Sequence, residues 1–134
     1  MLNVLATESW LSSEVSAALA PHGITRSQYN VLRILRGNHP DCYACSDVGE
    51  RLLDRTPDVT RLLVRLEGQG LVERKRSKLD RRVVEVQITE AGLDLLSKID
   101  APLDEAITRA GRHLTDAEHA ELSRLLEKLR TDQI

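Results

Sequence analysis

The sequence predicts a mainly α-helical domain with one small β-hairpin, an α+β arrangement. Three observations predict it. Apolar residues recur at intervals of three and four along six segments. One stretch, residues 71–88, changes to a period of two. Aromatic residues number only three, Trp10, Tyr29 and Tyr43, and Phe is absent, so the core has to be built from aliphatic side chains. With 134 residues, 41% hydrophobic and 30% charged, the chain can bury one core and leaves little room for a second domain.

The first helix is expected from about Leu5 to Ala20, where Trp10, Leu11, Val15, Ala18 and Leu19 fall at helical intervals. Pro21-His22-Gly23 ends it. Thr25-Arg26-Ser27-Gln28 is a capping box that opens a second helix, with Tyr29, Val31, Leu32, Ile34 and Leu35 as its apolar face. Gly37–Asp41 is a turn cluster. Ser46 is expected to cap a short third helix that turns Val48, Leu52 and Leu53 inward.

The fourth helix carries the clearest start signal. Thr56 suits the N-cap, Pro57 the first helical position, and Asp58 complements the positive helix end. Val59, Leu62, Leu63 and Leu66 form its buried stripe, and Gly70 is expected in the left-handed position that stops it. Beyond Gly70, Val84, Val86 and Ile88 alternate with Val83, Glu85 and Gln87, which reads as a half-buried strand. Leu71–Arg76 is its antiparallel partner, with a loose loop expected through Ser77–Arg81. Thr89 caps a fifth helix bearing Ala91, Leu95, Leu96 and Ile99, which Pro102 is expected to kink or split. Thr115–Glu118 is a second capping box, opening a last helix with Leu122, Leu125, Leu126 and Leu129.

Charge is distributed unevenly. Residues 51–82 hold 10 Lys/Arg against 5 Asp/Glu, whereas residues 1–50 hold 3 against 5 and residues 83–134 hold 6 against 11. A cationic segment between acidic flanks orients an encounter with a polyanion. It coincides with a short helix, a tight turn at Asp54-Arg55, a sharply capped helix and a hairpin, which together make a helix-turn-helix followed by a β-ribbon. The face of the fourth helix opposite its buried stripe presents Thr60, Arg61, Val64 and Arg65, with Thr56, Pro57 and Asp58 at its N-terminus. Arg61 or Arg65 can bind guanine through two hydrogen bonds, and either can equally hold phosphate. Arg74, Lys75, Arg76, Lys78, Arg81 and Arg82 make the hairpin basic, and an arginine there can enter a minor groove. Asp80 would repel DNA unless it orients a neighbouring arginine.

These residues resemble a known family. Ser46–Leu52, Val59–Leu62 and Leu66–Arg74 are similar to the MarR family of winged helix-turn-helix transcription regulators. So is Asp80–Gly92, which resembles that family's wing: an Asp-x-Arg, then an apolar-Thr pair and a Gly. The resemblance is close over residues 24–97. It implies a sequence-specific regulator of double-stranded DNA, a ligand-responsive repressor that binds a pseudo-palindromic operator as a homodimer. Residues 1–134 would form one domain, in which about 24–97 read DNA and about 1–22 and 98–134 interlock with a second copy. By matching position, Arg82 would enter the minor groove with Asp80 as its partner. Gly49 stands where the family more often has Ala, which is expected to loosen the third helix.

Relatives of this kind respond to a small aromatic acid or to cysteine oxidation. Trp10 and Tyr29 could line an apolar effector pocket or simply belong to the core. Cys42-Tyr43-Ala44-Cys45 has CxxC spacing with His39 upstream, so a thiol- or metal-sensing regulator is one alternative. Zinc, however, needs four ligands and only three are local. The plainer reading is that Cys45 packs as a small hydrophobe and that no metal or cofactor is held. A winged-helix module for protein–protein contact is the other alternative. No phosphate-binding loop, HExxH or nucleophile motif is present, so enzymatic activity is not expected. The longest aliphatic run, Ala17–Ala20, is far short of the roughly 18 residues of a membrane span. A start carrying Glu8 and Glu14 predicts no signal peptide, and two cysteines make no disulfide scaffold, so the expected compartment is the cytoplasm.

Overall fold

A computed structural model describes residues 1–52 and 58–133. Its elements are α1 (Leu2–Leu19), α2 (Arg26–Gly37), β1 (Tyr43–Ala44), α3 (Cys45–Arg51), α4 (Val59–Gly68), β2 (Val72–Arg76), β3 (Val84–Ile88), α5 (Glu90–Ala110) and α6 (Asp116–Leu129), with short 3₁₀ turns at Ala20–His22 and Thr131–Gln133. The three strands form one antiparallel sheet in the order β1-β3-β2, with Tyr43 opposite Val86 and Arg74 opposite Val86 from the other side.

Local signals set most helix ends. Thr25 and Gln28 close the expected capping box of α2, and Thr115 and Glu118 that of α6. At the end of α4 the Gly70 amide donates to the Glu67 carbonyl and the Leu71 amide to that of Leu66, with Gly70 at φ 75°. This is a Schellman stop, and Leu71 and Leu66 are both buried as that motif favours. Thr89 caps α5 by accepting from the Gly92 amide, and its hydroxyl donates to the Gly70 carbonyl at 2.7 Å, joining the two helix ends.

Several expectations are corrected. Helix α3 begins at Cys45 with Ala44 before it, so Ser46 lies inside the helix and is not its cap. Helix α4 is capped by Asp58, whose carboxylate accepts from the Arg61 amide at 3.3 Å, rather than by Thr56. Thr56, Pro57, Leu53 and the Asp54-Arg55 turn lie outside the described residues. Strand β1, inside a stretch without periodicity, forms because β3 offers it an open edge. Pro102 does not split α5, which runs unbroken past it. Leu96, Ile99, Leu103 and Ala106 are buried on both sides of Pro102, and this packing holds the helix together. Ala91 is exposed, not inward.

The core is aliphatic. Leu19, Val31, Leu32, Leu35, Val48, Leu63, Leu66, Val86, Leu96 and Ile99 are its fully buried large side chains. They come from the end of α1, from α2 to α4, from β3 and from the first half of α5. Helix α6 contributes nothing, and Leu122, Leu125 and Leu129 stay exposed.

Glycines at two places within residues 24–97 let neighbouring elements approach closely. A Cβ at Gly49 would stand 3.2 Å from Val59 Cγ2, so the small residue lets α3 lie against α4 as well as loosening its helix. A Cβ at Gly92 would run into the Leu71 carbonyl oxygen and stand 2.6 Å from Ile88 Cγ1. Gly92→Ala is therefore expected to lower stability by about 1–2 kcal/mol, since overpacking against backbone outweighs the roughly 1 kcal/mol gain in helix propensity. Thermal unfolding checks it, and an unchanged or raised Tm would refute the close contact.

Candidate nucleic-acid interface

Helix α4 is amphipathic in the sense expected. Leu63 and Leu66 are fully buried, Val59 and Leu62 pack against the core, and Thr60, Arg61, Val64 and Arg65 are exposed. Asp58 is also exposed, and its carboxylate is occupied with capping the helix.

The hairpin that follows is better ordered than a loose loop. Ser77 is buried; its hydroxyl oxygen accepts from the amides of Leu79 and Asp80, and its amide donates to the Val83 carbonyl at 2.9 Å. Val83 in turn donates to the Asp80 carbonyl at 3.0 Å, and the Arg76 guanidinium donates to the Arg81 carbonyl at 2.8 Å. Each bond shortens the reach of a chain that carries like charges, so the wing keeps one shape despite their repulsion.

Asp80 has the orienting role expected of it. Its Oδ1 accepts from the Arg82 amide at 3.1 Å and from Nε at 3.2 Å, while Oδ2 accepts from the guanidinium at 3.3 Å. The Arg82 side chain is 91% exposed and so is aimed without being covered. The side-chain hydrogen bond from Arg82, followed by the backbone one, holds the Asp80 carboxyl below its ordinary range. The carboxylate is thus ionised at neutral pH, the state that accepts from Arg82.

Arg74, expected among the DNA contacts, is engaged within the chain. Its guanidinium lies 3.0 Å from Glu67 Oε1, and its amide donates to Oε2 of the same carboxylate. The Arg74 side-chain bonds also lower the Glu67 pKa. Arg74 thus ties β2 to the end of α4 and sets the wing's position relative to the helix. The exposed cations of the hairpin are Lys75, Arg76, Lys78, Arg81 and Arg82.

Other ties escaped the sequence reading because they join distant positions. Gln28, buried on α2, donates to Gln69 Oε1 at 3.3 Å, and Gln69 donates to the Gly23 carbonyl. Arg36 on α2 reaches both oxygens of Asp100 on α5 at 3.1 and 3.0 Å. Arg26 contacts Glu8 at 3.1 Å and Ser12 at 2.6 Å on α1. The Arg51 guanidinium sits 4.6 Å from the Tyr43 ring centroid. Matching charge signs hint at Arg36–Asp100 and Arg26–Glu8 in the sequence, and nothing there hints at the neutral pairs.

A groove of about 720 Å³ lies between α1, α2 and α5, lined by Glu8, Val15, Arg26, Tyr29, Asn30, Arg33, Leu103 and Ile107. Tyr29 belongs to it, as expected. Trp10 does not; it is 47% exposed on another face of α1, about 140° around the helix from Val15. Cys42 and Cys45 are free thiols, half-buried. Cys42 donates to Gln87 Oε1 at 3.3 Å. Burial pushes the Cys45 thiol up, against a smaller opposing effect of Arg74, which disfavours the reactive thiolate. Among the described residues no cluster of His, Cys, Asp and Glu could hold a metal ion, and no helix is long and apolar enough to cross a membrane.

Comparison with known proteins adds independent findings. A family model described as the MarR family matches residues 22–83. The chain is 30% identical over 100 residues to the HTH-type transcriptional repressor IacR of Pseudomonas putida, a match covering 75% of this chain and 59% of that protein. The chain therefore spans less than two thirds of that relative's length. Among solved structures, a MarR transcription factor from Planctomyces limnophilus is 37% identical with a TM-score of 0.75, covering 94% of this chain and 91% of that one. A mutant MarR from E. coli complexed with operator DNA is 26% identical with a TM-score of 0.85, covering 94% and 89%.

Proposed function

Because the chain belongs to the MarR family of transcription regulators, we propose that it binds double-stranded DNA in a sequence-specific way and represses transcription as a homodimer. One observation carries the reading: an exposed helix face with Thr60, Arg61 and Arg65 runs through Gly70 directly into a wing whose Arg82 is braced and left open. A helix of this width fits a major groove, and an extended arginine fits the minor groove beside it. Thr60, Arg61 and Arg65 are the candidates for base edges, together with Thr56 and Pro57, and Asp58 supports them as helix cap. Lys75, Arg76, Lys78 and Arg81 neutralise phosphates, and Arg74 holds the wing in place.

Residues 24–97 form the reading head in this scheme, and residues 1–22 and 98–134 join two copies. The two heads then address half-sites of a pseudo-palindrome about 34 Å apart. The groove beside Tyr29 suits a small aromatic acid, since Arg33 can meet a carboxylate while Val15, Leu103 and Ile107 cover a ring. The protein would act in the compartment that holds its DNA, the cytoplasm.

Fluorescence anisotropy with duplex DNA from its own promoter and with random duplex separates the roles. Arg61→Ala is expected to cost about 1–3 kcal/mol on the cognate site and little on random DNA. Arg82→Ala is expected to weaken both. Failure of the unaltered protein to bind either duplex would end the proposal.

A further inference from the structure

Among the described residues, the exposed large apolar side chains fall into two groups. Most lie at residues 1–11 or 107–129; the two others are Val64 on α4, 49% exposed, and Leu79 at the tip of the wing. Between the terminal helices, then, the described large apolar side chains that stand mainly in solvent lie only on the helix and wing that the proposed function assigns to DNA. Val64 is the more constrained of the two, because it stands on a regular helix. At about 100° per residue it lies about 40° from Thr60 and about 60° from Arg61, in the middle of the exposed face. A valine there gains nothing from the core, which is filled from the opposite side by Leu63 and Leu66. It also costs helix propensity relative to the straight-chain polar residues that usually occupy an exposed face.

We propose that Val64 is a specificity-determining residue that packs its two methyl groups on the 5-methyl of a thymine in the major groove. The inference rests on the DNA-binding reading and deepens it. Thymine is the base that offers an apolar group there, and the guanidinium of Arg61 cannot sense a methyl, so an apolar side chain beside it supplies what it lacks. The flanking cations Arg61 and Arg65 bring the polyanion to this face; Val64 then distinguishes thymine from cytosine and from purines at one position of each half-site.

The test uses a duplex selected by the full-length protein from a randomised library. Each fixed thymine is replaced in turn by deoxyuridine, which keeps every hydrogen-bonding group and removes the methyl. One position per half-site is expected to lose about fourfold in affinity, the worth of one buried methyl group. Val64→Ala is expected to make the protein indifferent to uracil at that position while it unfolds thermally in the same cooperative transition, which shows that the reading head is intact. A selected consensus with no fixed thymine, uniform indifference to uracil, or a uracil effect that survives in Val64→Ala would each overturn the inference while leaving DNA binding standing. If no duplex is selected at any salt concentration, the DNA-binding reading itself fails.

Discussion

Raising the salt concentration from 50 to 200 mM is expected to weaken binding to operator DNA by about 10³- to 10⁵-fold, the range for a protein touching six to ten phosphates. The effect follows from how the cations are placed. Lys75, Arg76, Lys78 and Arg81 on the wing, the cations assigned to phosphates, are exposed, and two copies bring them to eight. Each phosphate they neutralise releases condensed counterions, so affinity follows a power of the salt concentration. Arg74 should add little to that slope, because Glu67 already holds it at 3.0 Å. Arg74→Ala should instead loosen the wing and weaken binding with the slope nearly unchanged. Fluorescence anisotropy over a salt series measures both quantities. A flat response would show that this cationic segment does not bind a polyanion.

The second large effect concerns assembly. Leu125→Glu combined with Leu129→Glu is expected to turn a dimer into a monomer and to cost about 10²- to 10⁴-fold in affinity for a palindromic site, the loss that follows when two linked contacts become one. Leu122, Leu125 and Leu129 are 44%, 47% and 54% exposed on a helix that gives no residue to the core, and Leu2 and Leu5 on α1 are 82% and 63% exposed. Apolar faces of this extent at both ends of one small domain need cover, and the proposed second copy would provide it with the same surfaces. Because neither leucine touches the core, the reading head should remain folded, and a single half-site should still be bound weakly. Sedimentation equilibrium gives the mass. An unaltered protein that is monomeric at about 10 μM, or a double variant that still dimerises, would remove the homodimer from the scheme.

The legible parts of the fold were those decided within a few residues. Thr25 with Gln28, Thr115 with Glu118, Thr89, and the Gly70 stop each satisfy helix-end groups from neighbouring positions, so their chemistry is visible in the order of side chains. That Asp80 orients a neighbouring arginine was expected from the residues, and Arg82 as that partner was what the family resemblance implied. Strand β1 was not, since Tyr43–Ala44 has no period of its own and exists by virtue of Val86 and Glu85 opposite it. Trp10 looked inward by spacing but lies outside the groove, because the long α1 has apolar residues on more than one face and only tertiary contact selects among them.

What the sequence by itself determined is the succession of helices and hairpin, the buried stripe of α4 and the confinement of positive charge to one segment. These depend on periodicity, capping and composition, all local properties of the chain. Tertiary structure decided which cations are available and which are spent. Arg74, Arg36 and Arg26 are taken by Glu67, Asp100 and Glu8, whereas Arg82 is held by Asp80 and still faces solvent. That division depends on distances between elements remote in sequence, and a Coulombic pair has no periodic trace by which to announce itself before the core has packed.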